Sequence, residues 1–464
     1  NEKELPDAFL RRCFFHYIRF PDRDTMIAIV AVHFPDLKKD LLAEALNVFF
    51  EKTLVGTLVK RDDDTLSFSY VMTWLQDARR FALSPALPLQ EEAFGNRQTK
   101  SYFDNLLPEG EALRTIEKIL KRTFEDPYAL LANYGLDCAG ALEITPNAEA
   151  PPPQGTGKLE KLPFQEIDAL VERGESLYVH NLTSRKGRFS LAGAQDKIPV
   201  LFRDGDLYIP LDATPSTHIL KPPARLRTIF DSVHNEFYCM SLATLCGLHV
   251  PEVQVIGEAT PLFLIRRFDR KTKEQAVKRI HQFDFCQALG YPASEKYEED
   301  GGPTFAQDYR CIADVSDTQI QDRETILNWL AFNLLIGNND SHSKNLSFIL
   351  DEGETRVAPL YDLMSTSIYR NLAAEFSFKI GGQSMWHQLR RKHFELLAKD
   401  LGFKKREEIV AEKILQMANK LEEATHTFVS MNKDQPEPPV IKTIRHEVEK
   451  RIRTFREKLG SKPG

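Results

Sequence analysis

Asp340, Asn345 and Asp362 are three oxygen-bearing side chains set around one predicted hairpin. An apolar run from Ile326 to Ile336 stops at Gly337, the residue type that closes helices in a left-handed conformation. A polar loop follows, Asn338-Asn339-Asp340-Ser341-His342-Ser343-Lys344-Asn345. Then come a strand-like run from Leu346 to Leu350, a turn at Asp351-Glu352-Gly353-Glu354, a second strand, and Pro359-Leu360-Tyr361-Asp362. Hairpin arms pair residue by residue, which should bring Asp362 alongside Asn345. Asp362 and the Asn345 amide would offer hard oxygen ligands to Mg2+. Asp340 would face a substrate hydroxyl and accept its proton. That is the chemistry of a magnesium–ATP site. The same spacing also fits loop polars capping a helix and a turn, so the surrounding elements must decide.

Residues 186–268 read mostly as strands with one helix. Phe189-Ser190-Leu191 runs into Ala192-Gly193-Ala194, then Ile198 to Phe202, a turn at Asp204-Gly205, and Leu207 to Pro210. A strand from Thr217 ends at Lys221; a helix from Phe230 to Cys246 is closed by Gly247; Val253 to Ile256 and Leu262 to Phe268 are two further strands. From about Gln275 onward the pattern is predominantly helical apart from the hairpin. Strand with Lys, helix with Glu, then two strands matches the small lobe of a protein kinase. Asp-x4-Asn with a second Asp about twenty residues on is the layout of a kinase catalytic loop and metal-binding Asp. The expected fold is therefore α+β: a kinase-like bilobal fold with a β-rich N-terminal lobe and a mainly α-helical C-terminal lobe.

Phosphoryl transfer needs phosphates held in line and their charge neutralised. Ala192-Gly193-Ala194-Gln195-Asp196-Lys197 places small residues where backbone amides must approach phosphate oxygens. It is neither a Walker A loop nor a Rossmann fingerprint, because the glycine spacings differ. Gly155-Thr156-Gly157-Lys158 lacks the upstream Gly and sits in a Pro-rich stretch, so it reads as linker. Lys221 is the candidate contact to the α- and β-phosphates, although a surface lysine before two prolines is the plainer alternative. Glu236 would be its ion-pair partner. Arg266, Arg267 and Phe268 end the last small-lobe strand, where a hinge offers backbone groups to adenine. Lys344 is placed to steady the γ-phosphate. His342 and Tyr361 join the cofactor-contacting set, His342 as a loop-shaping residue rather than a catalyst. No His spacing suggests zinc.

The 464 residues exceed one ordinary core, and 42% hydrophobic with 28% charged residues is usual for a globular chain. The net charge of −6 argues against nucleic-acid binding by the whole surface. Six cysteines without a C-x-x-C pair read as reduced core residues of a cytosolic protein. No apolar run approaches the roughly 20 residues a membrane helix needs, and the N-terminal residues do not read as a signal peptide. Pro151-Pro152-Pro153 through Gly157 marks one linker, and Gln435-Pro436-Glu437-Pro438-Pro439 sets off a last helix. Its stripe of Ile441, Ile444, Val448, Ile452, Phe455 and Leu459 is expected to dock on the C-terminal lobe, with Lys and Arg facing away.

Taken together, these motifs resemble the HipA family of bacterial toxin kinases. The resemblance rests on Phe189 to Lys197, Ser216 to Lys221, Asn235 to Cys239, Arg267 to Arg270, Lys296 to Pro303, Leu335 to Asn345 and Pro359 to Asp362. Leu87 to Gln90 and Tyr102 to Pro108 match in the N-terminal region. The resemblance implies a serine/threonine protein kinase, the toxin of a toxin–antitoxin pair, using ATP and Mg2+. Asp340 would be the catalytic acceptor, Asn345 and Asp362 the metal ligands, Lys221 an ATP contact, and Ser190 an autophosphorylated serine. It implies an aminoacyl-tRNA synthetase, glutamyl-tRNA synthetase in the best-known member, as protein substrate. It also implies a HipB-like antitoxin as partner, operator DNA reached mainly through that antitoxin, and no membrane. The expected divisions are 1–45 (an extension with no family role), 46–150 (N-terminal subdomain), 159–268 (small lobe) and 269–464 (helical lobe). The patch Arg390-Arg391-Lys392-His393 fits either an operator contact or a solvated helix face. A catalytically idle corepressor scaffold and a small-molecule phosphotransferase remain the alternatives.

Overall fold

The computed structural model describes residues 44–61, 63–110, 113–114, 116–117, 127–146, 158–184, 192–193, 195–211, 214–273, 276–434 and 436–460. Ser190, Ala194, the linker from Pro151 to Gly157 and all but the last two residues of the expected 1–45 extension lie outside that set.

The first unit is an antiparallel sheet of β1 (Glu44–Phe50), β2 (Thr53–Lys60), β3 (Leu66–Tyr70) and β4 (Leu142–Thr145), ordered β3-β2-β1-β4. In β1, Leu46 and Val48 are buried and Asn47 between them is not, as period-two alternation requires. The pairing with β2 shifts at Val48/Phe49, and Phe49 is buried too. Helices α1 (Asn96–Phe103) and α2 (Pro127–Tyr134) pack on β3 and β4. Phe68, Phe94 and Phe103 fill the space between sheet and helix.

The second sheet comprises β5 (Leu159–Lys161), β6 (Ile198–Arg203), β7 (Asp206–Pro210), β8 (His218–Lys221), β9 (Val253–Ile256) and β10 (Leu262–Arg266), ordered β5-β7-β6-β8-β10-β9. Asp204 and Gly205 both have positive φ, the two-residue turn the sequence predicts between β6 and β7. Helices α3 (Phe164–Glu172) and α4 (Leu177–Ser184) precede β6. Helix α5 (Ser232–Leu245) lies against β9 and β10 and carries Glu236.

From about Gln275 onward the chain is predominantly helical as expected, but it holds more strand than one hairpin. β11 (Arg270–Lys273) pairs with β12 (Ala276–Arg279), and β13 (His281–Asp284) joins β14 (Ser347–Asp351) and β15 (Glu354–Val357). The predicted hairpin is thus two strands of a three-stranded sheet, in register Phe283↔Phe348↔Val357. Strands of four residues are too short to set up a readable period, and only their partners across the sheet identify them.

Helices of the C-terminal part are α6 (Phe285–Leu289), α7 (Phe305–Val315), α8 (Gln319–Ile336), α9 (Arg391–Asp400), α10 (Ile409–Met431) and α11 (Pro439–Gly460). From Ile326 to Ile336 all of α8 except Asn328 is buried, so this stretch of the helix is wrapped on every side. It ends at Gly337 with φ 74°, and a Cβ there would lie 2.1 Å from Ser367 Oγ and 3.1 Å from the Arg451 guanidinium. The apolar stripe of α11 docks as expected, against α8, α10 and α5. One of its basic residues does not face away: Arg451 is buried, donating to the Leu334 carbonyl at 2.9 Å and lying over the Trp386 ring. No helix among the described residues is long and apolar enough to cross a membrane. The five described cysteines are buried free thiols.

Candidate active site

A cleft of about 570 Å3 opens where the second sheet, the three-stranded sheet and the first unit meet, a size usual for small-molecule sites. Every described residue of the predicted cofactor set lines it: Ala192, Gly193, Gln195, Asp196, Lys197, Lys221, Arg266, Arg267, Phe268, His342, Lys344, Asn345, Tyr361 and Asp362, together with Asp340. Lining the cleft and facing a ligand are different things, and the side chains divide on that point.

Lys221 ends β8, where pairing with Phe263 of β10 fixes its direction. Its ammonium bridges Glu236 at 2.7 Å and Asp362 at 2.9 Å. Burial works against the Lys221 ammonium, but Asp362 and Glu236 more than offset it and hold its pKa above the usual lysine value. Burial likewise raises Asp362, yet Lys221 and Lys197 bring it well below the ordinary carboxylate range. Glu236, deeper in, is shifted upward by its burial. Asp362 is 43% exposed into the cleft, so one side of its carboxylate is held by Lys221 while the other remains accessible. Its φ of 60° is uncommon outside glycine, and such backbone strain concentrates at functional sites. Helix α5 is braced from behind, Tyr238 against Phe428 of α10 at 4.7 Å between ring centroids.

The loop after α8 is knotted by Asn338, which the sequence reading left without a role. Its amide donates to Asn333 Oδ1 at 2.8 Å and to the Asp362 carbonyl at 3.3 Å, and its Oδ1 accepts from the Asp340 N–H at 3.2 Å. Asn345 Nδ2 donates to the Asp340 carbonyl at 3.0 Å, closing the loop and leaving the amide oxygen out of that bond. The Asp340 carboxylate is exposed, and its Oδ1 accepts from the Tyr297 hydroxyl at 2.6 Å. Tyr297 also meets the His342 ring edge-on, centroids 5.0 Å apart. Burial pushes His342 down to about 4, so it is neutral near pH 7, in keeping with a loop-shaping role.

Among the described residues no three His, Cys, Asp or Glu side chains converge as a metal cage. Asn345 and Asp362 fit Mg2+ all the same, because that ion takes one or two protein oxygens and completes its octahedron with water and phosphate. Lys197 folds under the predicted phosphate loop: a Cβ on Gly193, whose φ is 111°, would sit 2.7 Å from its Nζ. Burial and the adjacent Lys221 push Lys197 down to about 8.

Two predicted backbone donors need correction, and one side chain of the predicted phosphate loop has its partners elsewhere. The Asp196 carboxylate is turned to the start of α4, accepting from the N–H groups of Leu177 and Tyr178 and from Ser176 Oγ, at 2.9–3.1 Å. Acceptors at a helix N-terminus satisfy donors that have no intrahelical partner. The N–H groups of Arg266 and Arg267 bond to the carbonyls of Glu252 and Thr217, so neither donates to adenine. The Arg267 guanidinium is buried against Asp269, at 2.7 Å. Next to it, Phe268 stacks on Tyr361, whose hydroxyl donates to the Lys344 carbonyl at 2.7 Å. Lys344 itself pairs with Glu109, which also holds Lys296 at 2.9 Å. Burial raises Glu109, but Lys344 and Lys296 bring it down to about 2. Glu109 went unremarked in the sequence because 235 residues separate it from Lys344.

The first unit is welded to the rest by buried charge. Asp137 meets Arg270 at 2.8 Å, Glu143 meets Arg279 at 2.8 Å, and Asp269 accepts from the Gly140 N–H at 2.8 Å. The 390–393 patch is partly engaged within the molecule, since Arg391 donates to the Leu459 carbonyl at the end of α11.

A family model described as the HipA-like C-terminal domain matches residues 189–425, and one described as the HipA N-terminal domain matches residues 46–145. A Shewanella oneidensis protein named serine/threonine-protein kinase toxin HipA is 30% identical over 335 residues, 68% of this chain and 74% of its own length. Y4mE of Sinorhizobium fredii, named as a candidate kinase, is 34% identical over 371 residues, 78% of this chain and 87% of its own. The solved Shewanella oneidensis complex of HipA, HipB and operator DNA is similar at a TM-score of 0.76 and 25% identity, over 89% of this chain and 97% of that one.

Proposed function

Because the chain belongs to the HipA family of serine/threonine-protein kinase toxins, we propose that it uses ATP and Mg2+ to phosphorylate a protein of the translation machinery. An aminoacyl-tRNA synthetase, glutamyl-tRNA synthetase first among them, is the proposed substrate. The observation that carries this reading is the Lys221 ammonium bridging Glu236 and Asp362 at 2.7 and 2.9 Å in the cleft that Asp340 and Asn345 also line.

In this reading Lys221 and Lys197 meet phosphate oxygens, and Asn345 and Asp362 hold the cation. Mg2+, when bound, neutralises charge on the phosphates. Asp340 accepts the proton from the substrate serine or threonine hydroxyl, which takes over the hydrogen-bonding position of the Tyr297 hydroxyl. A phosphate on Ser190 would bring nearly two negative charges to a loop that receives triphosphate, so self-modification there switches the enzyme off. A HipB-like antitoxin is the proposed partner, with operator DNA reached mainly through it.

The test is incubation of purified protein with labelled ATP, Mg2+ and a cell lysate. Label in an aminoacyl-tRNA synthetase, lost in Asp340→Asn, is the expected result. No transfer at all would mean an idle corepressor scaffold, and label in small molecules alone a different phosphotransferase. Ser190→Ala should keep nucleotide binding and lose self-labelling; label persisting on that variant refutes the switch.

A further inference from the structure

One short segment of the first unit touches both loops of the cleft. Pro108 forms a parallel bridge with Gly193, and the Glu109 N–H donates to the Gly193 carbonyl at 3.1 Å. The Glu109 side chain reaches on to Lys344, beside Asn345, and to Lys296 at 2.9 Å, beside Tyr297 and hence one hydrogen bond from Asp340. Lys344 is only 6% exposed, so its ammonium depends on a buried anion. Two ammonium groups share the Glu109 carboxylate, with the acid of Asp284 also acting on Lys344. Attachment of the first unit does not require this contact, because Asp137, Glu143, Arg270 and Arg279 already make the joint elsewhere.

We propose that Glu109 is a positioning residue for phosphoryl transfer: acting through Lys344, it holds the catalytic loop in register with the phosphate loop and fixes two ammonium groups toward the seat of the transferred phosphate. The proposal rests on the kinase reading above. It makes the N-terminal unit part of the catalytic apparatus rather than an appendage.

The test compares the full-length chain with Glu109→Gln, Lys344→Met and the double variant. Each single change should lower kcat about ten- to a hundredfold, with KM for ATP moving less. The double variant should lose less than the product of the two single losses, because the Lys344 contact is common to both. Wild-type kcat in Glu109→Gln, or losses that multiply in the double variant, would overturn the proposal. A second readout is independent of activity: amide hydrogen exchange in residues 338–346 and 195–197 should quicken in Glu109→Gln while that of β1–β4 stays unchanged. Unchanged exchange in those loops, or faster exchange throughout the first unit, refutes positioning. A wild-type chain that transfers no phosphate sinks the kinase reading, and the exchange data still decide Glu109.

Discussion

Lys221 holds two carboxylates, whereas Glu109 holds two lysines, and both clusters line the same cleft. Lys197 adds a second cation beside the first cluster, and Asp284 a second acid beside Lys344 in the other. In both, a buried charge needs a neighbour of opposite sign to tolerate burial. The clusters differ in where their parts come from. Lys221 and Glu236 lie 15 residues apart on one strand and the helix after it. Glu109 and Lys344 come from different units. The first cluster is built within the kinase lobes, and the second depends on how another unit docks.

The comparison breaks most sharply if Lys221→Met spares transfer. Loss of that charge should cut kcat roughly 10²- to 10³-fold while leaving hydrogen exchange around Glu109 unchanged. Next in size, Asp137→Asn should cost about 3 kcal/mol of stability by leaving buried arginines short of a carboxylate. Calorimetry would measure the loss, and exchange should quicken at Lys344 before it does at Lys221. Acid sharpens the contrast further. With its pKa lowered from 4.5 to about 2, Glu109 contributes stability above pH 4.5 that is lost as the pH falls toward 2. The melting-temperature gap between wild type and Glu109→Gln should therefore be level above pH 4.5 and close toward pH 2. The smallest effect is expected from Tyr297→Phe, which removes a hydrogen bond of about 1 kcal/mol to Asp340. Steady-state kinetics should show a severalfold change in kcat/KM for the protein substrate with KM for ATP unmoved.

Much of the site was legible in the chain because its members lie on contiguous elements. Gly337 announces the end of α8, Asp204-Gly205 announces the β6–β7 turn, and the Lys221–Glu236 spacing announces a strand–helix pair. Local sequence hid the residues that have two uses. Asp196 belongs to the predicted phosphate loop, and its carboxylate also supplies the acceptor that helix α4 needs at its N-terminus. Arg267 was read as offering backbone groups at a hinge, but its N–H bonds to the Thr217 carbonyl while its guanidinium meets the buried acids at the joint. Strands β11 to β13 were missed because four-residue strands take their identity from a partner across the sheet.

By itself the sequence determined the bilobal α+β fold and the cleft's predicted lining, since local periodicity, turn residues and motif spacing are encoded over tens of residues. Only the tertiary structure decided that Glu109 closes on Lys344 and Lys296 and that Tyr297 reaches Asp340. Ion pairs and hydrogen bonds depend on distances of about 3 Å, and docking of separate units sets those distances where no sequence period records them.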